Sequence, residues 1–185
     1  MKTRTKIILA LLLIAFGFAG RMLPHAWNFT PLIAISLFAG AYLGRRYVIA
    51  IPIITMLLSD IFLGFYNVGV MLTVYTSIIL AGYIGTYLSS QKNLGRLTLA
   101  TLSSSTLFFL TTNTAVWAFG TMYEKSITGL LASYTAGIPF FRNMIVGDMW
   151  FTLVLFGSYE LAVLLYKKRN TELESGILNL ESRGK

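Results

Sequence analysis

Within Arg21-Met-Leu-Pro-His-Ala-Trp-Asn-Phe-Thr-Pro31, between two apolar runs, a guanidinium precedes two prolines that bracket the chain's single imidazole, an indole and a carboxamide. Arg21, His25, Trp27 and Asn28 can donate hydrogen bonds, stack and ligate, which an ordinary membrane turn does not require. The stretch reads as one wall of a small-molecule site. His25 alone fits a hydrogen-bonded loop residue at least as well as a metal ligand.

Further chemistry lies inside apolar sequence: Asp60, Asn113 with Trp117 four residues later, Tyr134, Arg142, Asn143 and Asp148. An unpaired carboxylate near the bilayer centre costs roughly 2.5–3.5 kcal/mol on insertion scales. Asp60 therefore needs a partner; Arg21 or Arg142 can supply it, and Asp148 can join the network. The plainer alternative is that these charges only staple helix ends together. Asn113 and Asn143 equally suit interhelical hydrogen bonds, and single tryptophans and tyrosines suit an interfacial belt.

Enzymatic signatures are missing. There is no P-loop, dinucleotide fingerprint or HExxH, and no GxSxG elbow. The serine run Ser103–Ser105 and His25 are expected at opposite ends of the bundle, too far apart for a nucleophile and its base. Cysteine is absent, which removes disulfides, thiolate metal sites and cysteine nucleophiles. A non-enzymatic role is expected, with no cofactor of the protein's own.

The elements that must position these residues are membrane helices. The chain is 56% hydrophobic and 12% charged, against about a quarter charged in soluble domains, and its mean hydropathy is +0.70. The apolar runs are Ile7–Gly20, Pro31–Leu43, Tyr47–Phe65, Val70–Leu88, Leu97–Phe119 and Asn143–Tyr166. The first could instead be a signal peptide, with Gly17-Phe-Ala19 as the cleavage site. The second is short against the ~20 residues that span a bilayer; its Gly40 and Gly44 have the GxxxG spacing of close helix packing. Gly120–Arg142 reads as a long outer loop with a short helix from Ser126 to Tyr134. Residues 1–169 then form one six-helix transmembrane domain, and 170–185 a cytoplasmic tail.

With the N-terminus inside, the inner side carries ten basic residues (Lys2, Arg4, Lys6, Arg45, Arg46, Lys92, Arg96, Lys167, Lys168 and Arg169) and the outer side three (Arg21, Lys125 and Arg142). This bias predicts N-in and C-in, a multi-pass protein of the inner (cytoplasmic) membrane. The +8 net charge thus marks topology, not nucleic-acid binding. In this arrangement the costly polar groups gather beneath the outer rim, with Asp60 about 20 Å along an outward-running helix. The inner halves keep little beyond Ser103–Ser105 and Glu160, which is expected to snorkel toward Lys167.

The motifs RxLPHxxNFTP (from Arg21), PxxxMLLSDxxLGF (Pro52–Phe65), FFxxTNxxVW (Phe108–Trp117) and GLxxxYxxxIPFFxN (Gly129–Asn143) resemble a group of small bacterial integral membrane proteins. That group is similar to the substrate-binding S-components of energy-coupling-factor (ECF) transporters, and nearest the vitamin B12-specific S-component-like proteins. The resemblance runs from about Arg21 to Phe156. It implies an all-α, six-helix, S-component-like bundle that takes a vitamin-type solute, such as cobalamin or another corrinoid, from outside. Outer loops and outer halves of spans four to six would form the site, and a shared ECF module could energise transport. The B12 relatives are thought to contact cobalt through a cysteine. This chain has none, and His25 would be the substitute axial ligand, since imidazole suits cobalt. The expected site is Arg21, His25, Trp27, Asn28, Asp60, Asn113, Trp117, Tyr134, Arg142, Asn143 and Asp148. The competing readings are a membrane scaffold or assembly subunit, and an intramembrane enzyme.

Overall fold

A computed structural model describes residues 2–24, 26–89 and 93–183, with side chains described as far as Glu172. Among these described residues the fold is all-helical, with six helices and no strand. The helices are α1 (Thr3–Met22), α2 (Leu32–Leu43, its last turn Ala39–Leu43 π-helical), α3 (Arg45–Leu63), α4 (Val68–Thr86, followed by a 3₁₀ turn Tyr87–Ser89), α5 (Leu94–Phe119) and α6 (Ile127–Arg183). By length and composition four are able to cross a membrane: Thr3–Met22, Arg45–Leu63, Val68–Ser89 and Ile127–Glu172. Helix α5 is longer than three of these, but its serines, threonines and Asn113 lower its hydropathy.

Helix α2 is the core. It has no charged residue, and every residue from Leu32 to Phe38 is buried, as expected of a helix that is apolar all round. Its seven α-helical and five π-helical residues rise only about 18 Å, so the other helices enclose it. The crossing of α2 with α4 depends on missing side chains. A Cβ at Gly40 would lie 2.0 Å from the Gly82 carbonyl oxygen, and one at Gly85 2.3 Å from that of Leu37. The expected pair Gly40 and Gly44 is half corrected. Gly40 packs, whereas Gly44 takes φ +98° in the α2–α3 turn with nothing near its Cβ position.

Consecutive helices alternate in direction. At one end the last turns of α1, α3 and α5 meet the first turns of α2, α4 and α6. Gly20 abuts Pro31, Asn67 Nδ2 donates to the Phe119 carbonyl at 3.0 Å, and Trp117 Nε1 donates to the Glu124 carbonyl at 2.9 Å. At the other end Lys6 Nζ donates to the Leu43 carbonyl at 2.8 Å. Outward faces of α1, α3, α4 and α6 expose large apolar side chains such as Leu11, Ile61, Leu72 and Leu164, which is compatible with a membrane protein.

The long loop expected between helices 5 and 6 is corrected to a turn over residues 120–126. Ser126 does start a helix, its Oγ accepting from the Gly129 N–H at 3.1 Å, but that helix continues past Tyr134 and through Pro139. An internal proline forfeits one backbone hydrogen bond. Packing of this half of α6 along α5 offsets the loss. Phe141 stacks on Phe109 with centroids 4.4 Å apart, Ser133 Oγ donates to the Asn113 carbonyl at 3.0 Å, and Gly137 lets α6 press against Asn113 and Phe109. The backbone stays helical to Arg183, through the stretch expected to be a tail. Glu160 does not reach toward Lys167. It accepts a 2.5 Å hydrogen bond from Tyr42 on α2.

Candidate functional site

Asp60, expected about 20 Å along its helix, lies in the last turn of α3, where its carbonyl accepts from Gly64 N–H. A carboxylate at a helix C-terminus opposes the helix dipole. Arg21, in the last turn of α1, answers it: Nη1 lies 2.7 Å from Asp60 Oδ1, a close charge contact rather than an aligned hydrogen bond. Nη1 also bonds Ser59 Oγ and donates to the Met56 carbonyl at 3.4 Å. Tyr75 on α4 donates to Asp60 Oδ2 at 2.7 Å. Three helices are thereby joined at one end. Of the two partners expected for Asp60, Arg21 holds it and Arg142 does not. Tyr66, in the α3–α4 turn, stands near this pair. Burial, reinforced by the Asp60 charge and opposed by Arg21, pushes its hydroxyl pKa up to about 12.

Arg21 forms one side of a cavity of about 400 Å³. Polar groups on its wall are Arg21, Asn28, Thr30, Tyr66 and Asp148; apolar ones include Ile33, Met56, Ile78, Phe108 and Met144. All six helices thus contribute, at the end where α1, α3 and α5 stop. A volume of this order, apolar walls and a few convergent polar groups are the usual features of a small-molecule site. Asn28 reaches it from a left-handed backbone conformation, φ 59°, which asparagine tolerates better than most residues.

Asp148 does not join the Arg21–Asp60 network. It is 1% exposed and accepts from Ser105 Oγ on α5 at 2.6 Å. Ser105 Oγ is also 3.0 Å from the Thr101 carbonyl. The serine run expected on the bland inner half thus reaches, through Ser105, the Asp148 carboxyl on the cavity wall.

Asn113 lines a smaller space of about 160 Å³ with Thr112, Gly137 and Phe140; Asn28, Phe108 and Met144 border both cavities. Trp27 is 72% exposed and stacks on Phe140 at 5.2 Å, above the cavities rather than within them. Four more expected site residues lie outside these two cavities. Trp117 ties down the α5–α6 turn, where Lys125 Nζ donates to the Gly120 carbonyl at 2.6 Å. Tyr134 shares a 2.6 Å hydrogen bond with Thr114 across the α5–α6 packing. Arg142 is exposed, and with Asn143 it borders a separate groove beside Phe29 and Pro139. His25 lies outside the described residues. Sequence reasoning missed Tyr66, Phe108 and Met144 as wall residues, and Tyr75 and Ser105 as the partners of the two carboxylates. Tyr75, fifteen positions beyond Asp60 across a tight turn, was the detectable one.

Residues 1–172 match the model of a family described as a family of unknown function, DUF6580, and the chain belongs to that family. No curated protein and no solved structure matches it.

Proposed function

We propose that this member of the family is a membrane-embedded solute-binding protein of the S-component type. It takes a small molecule from the outer face into the cavity between Arg21, Asn28 and Asp148, and delivers it inward by reorientation of the bundle. The carrying observation is that half-open cavity of about 400 Å³, built by all six helices at a single end. The opposite end bears Lys6, Arg45 and Arg46, so the positive-inside bias favours placing the cavity toward the outside of an inner membrane. We read the four long apolar helices, α2 and α5 as a six-helix, N-in and C-in bundle.

The volume suits a compact solute better than a corrinoid macrocycle with its nucleotide loop, so cobalamin is not the solute we favour. Since the sequence has no ATPase motif, an external energiser such as an ECF module is the partner this reading implies. The scaffold reading has its own support, because Trp117 and Tyr134 serve packing.

The test is the mass spectrum of solutes released from protein purified out of its native membrane, wild type beside Val74→Trp, which fills the cavity. A species retained by the wild type and lost in the folded variant supports capture. Identical backgrounds from both favour the scaffold.

A further inference from the structure

The cavity holds two acidic–basic accounts, and only one is closed. Arg21 is 14% exposed and already lies against Asp60, whose second oxygen is held by Tyr75. Asp148, on the same cavity wall, is 1% exposed and meets no cation within ion-pair distance among the described residues. Its partner Ser105 has one hydroxyl proton and two acceptors within reach, Asp148 Oδ2 at 2.6 Å and the Thr101 carbonyl at 3.0 Å. A neutral Asp148 can donate to Ser105 Oγ, which then donates to Thr101. An ionised Asp148 instead draws the Ser105 proton to itself. The pair thus accommodates either state, but the ionised state leaves a buried charge with one hydrogen bond and no counter-ion, which is costly.

We propose, resting on the solute-binding reading above, that the solute carries a protonated amine that docks on Asp148. Its apolar body lies against Phe108, Ile78 and Ile33. The ammonium supplies the missing counter-ion and a charge-assisted hydrogen bond. The closed Arg21–Asp60 pair leaves the guanidinium little net charge with which to select an anion.

The experiment uses three probes that share one apolar body: phenethylamine, 2-phenylethanol and phenylacetate. Each is titrated calorimetrically into the full-length wild-type protein in detergent at millimolar concentration, where even weak fragments register. The expected result is binding of phenethylamine at least about tenfold tighter than of 2-phenylethanol, the ratio one charge-assisted hydrogen bond provides. Asp148→Asn should erase that ratio. The ratio is measured in the wild type, so the proposal stands or falls even if the variant misfolds. If the alcohol or the carboxylate binds as well as the amine, the amine class is overturned while a small-molecule site survives. If Asp148→Asn folds and keeps the preference, the docking residue is wrong. If none of the three binds, the solute site fails with it.

Discussion

Arg21 Nη1 and Asp60 Oδ1 lie 2.7 Å apart, each in the last turn of its own helix. The pair therefore fixes the relative height of α1 and α3 and sets one wall of the cavity. Its two halves should be unequal to their sum. Arg21→Met leaves a buried carboxylate uncompensated, a loss of about 3–5 kcal/mol. Arg21→Met with Asp60→Leu removes both charges and should unfold at a higher temperature than the single variant. Thermal unfolding in detergent checks the order of the two.

The α2–α4 crossing predicts a contrast between two glycines four residues apart. Gly40→Ala puts a methyl group 2.0 Å from a backbone oxygen, and overpacking of this kind costs about 1–3 kcal/mol. Gly44→Ala meets no neighbour and strains only the backbone of its turn, whose φ 98° and ψ 176° are essentially confined to glycine, at a cost of about 1–3 kcal/mol. Melting temperatures of the two variants, with the larger drop at Gly40, test whether the close crossing holds the core.

Asn28 combines φ 59° with a place on both cavity walls. Asn28→Gly should keep the fold at near wild-type stability, and Asn28→Ala should lose about 1 kcal/mol through backbone strain. Both remove the carboxamide, so both should release the retained solute. Retention measured by mass spectrometry beside melting temperature separates the two effects.

Tyr66 supplies a pH dependence. Its hydroxyl pKa rises from 10.0 to about 12 in the folded protein. Between those values the unfolded chain has shed a proton that the folded chain keeps. Stability from this group is therefore complete below pH 10 and falls as pH climbs toward 12. Unfolding curves across that window should be flatter for Tyr66→Phe than for the wild type.

Much of this arrangement was legible in the residues. Asp60 needed a cation, and Arg21 was one of two available. The Arg21–Pro31 stretch does border the cavity, through Arg21, Asn28 and Thr30. The continuity of α6 was hidden because Pro139 and Gly137 look like a helix end. Here Gly137 admits close packing on α5, and that contact carries the helix through the proline. Once α6 begins at Ile127, residues assigned to a loop, Tyr134 among them, become helix-packing groups. Asp148 and Ser105 were assigned different depths, and only the register of α5 against α6 brings them together. No local pattern encodes that register.

A cysteine-free chain allows the central claim, a cavity open to the outer face, to be tested with one thiol. Val74 lines the cavity, and Val74→Cys can be exposed to a small membrane-impermeant thiosulfonate in intact cells, beside Lys125→Cys as a marker of the same end. The account predicts that both react from outside, the cavity thiol more slowly. Reaction of Val74→Cys only after the cells are opened, or no reaction while Lys125→Cys is labelled, would contradict it.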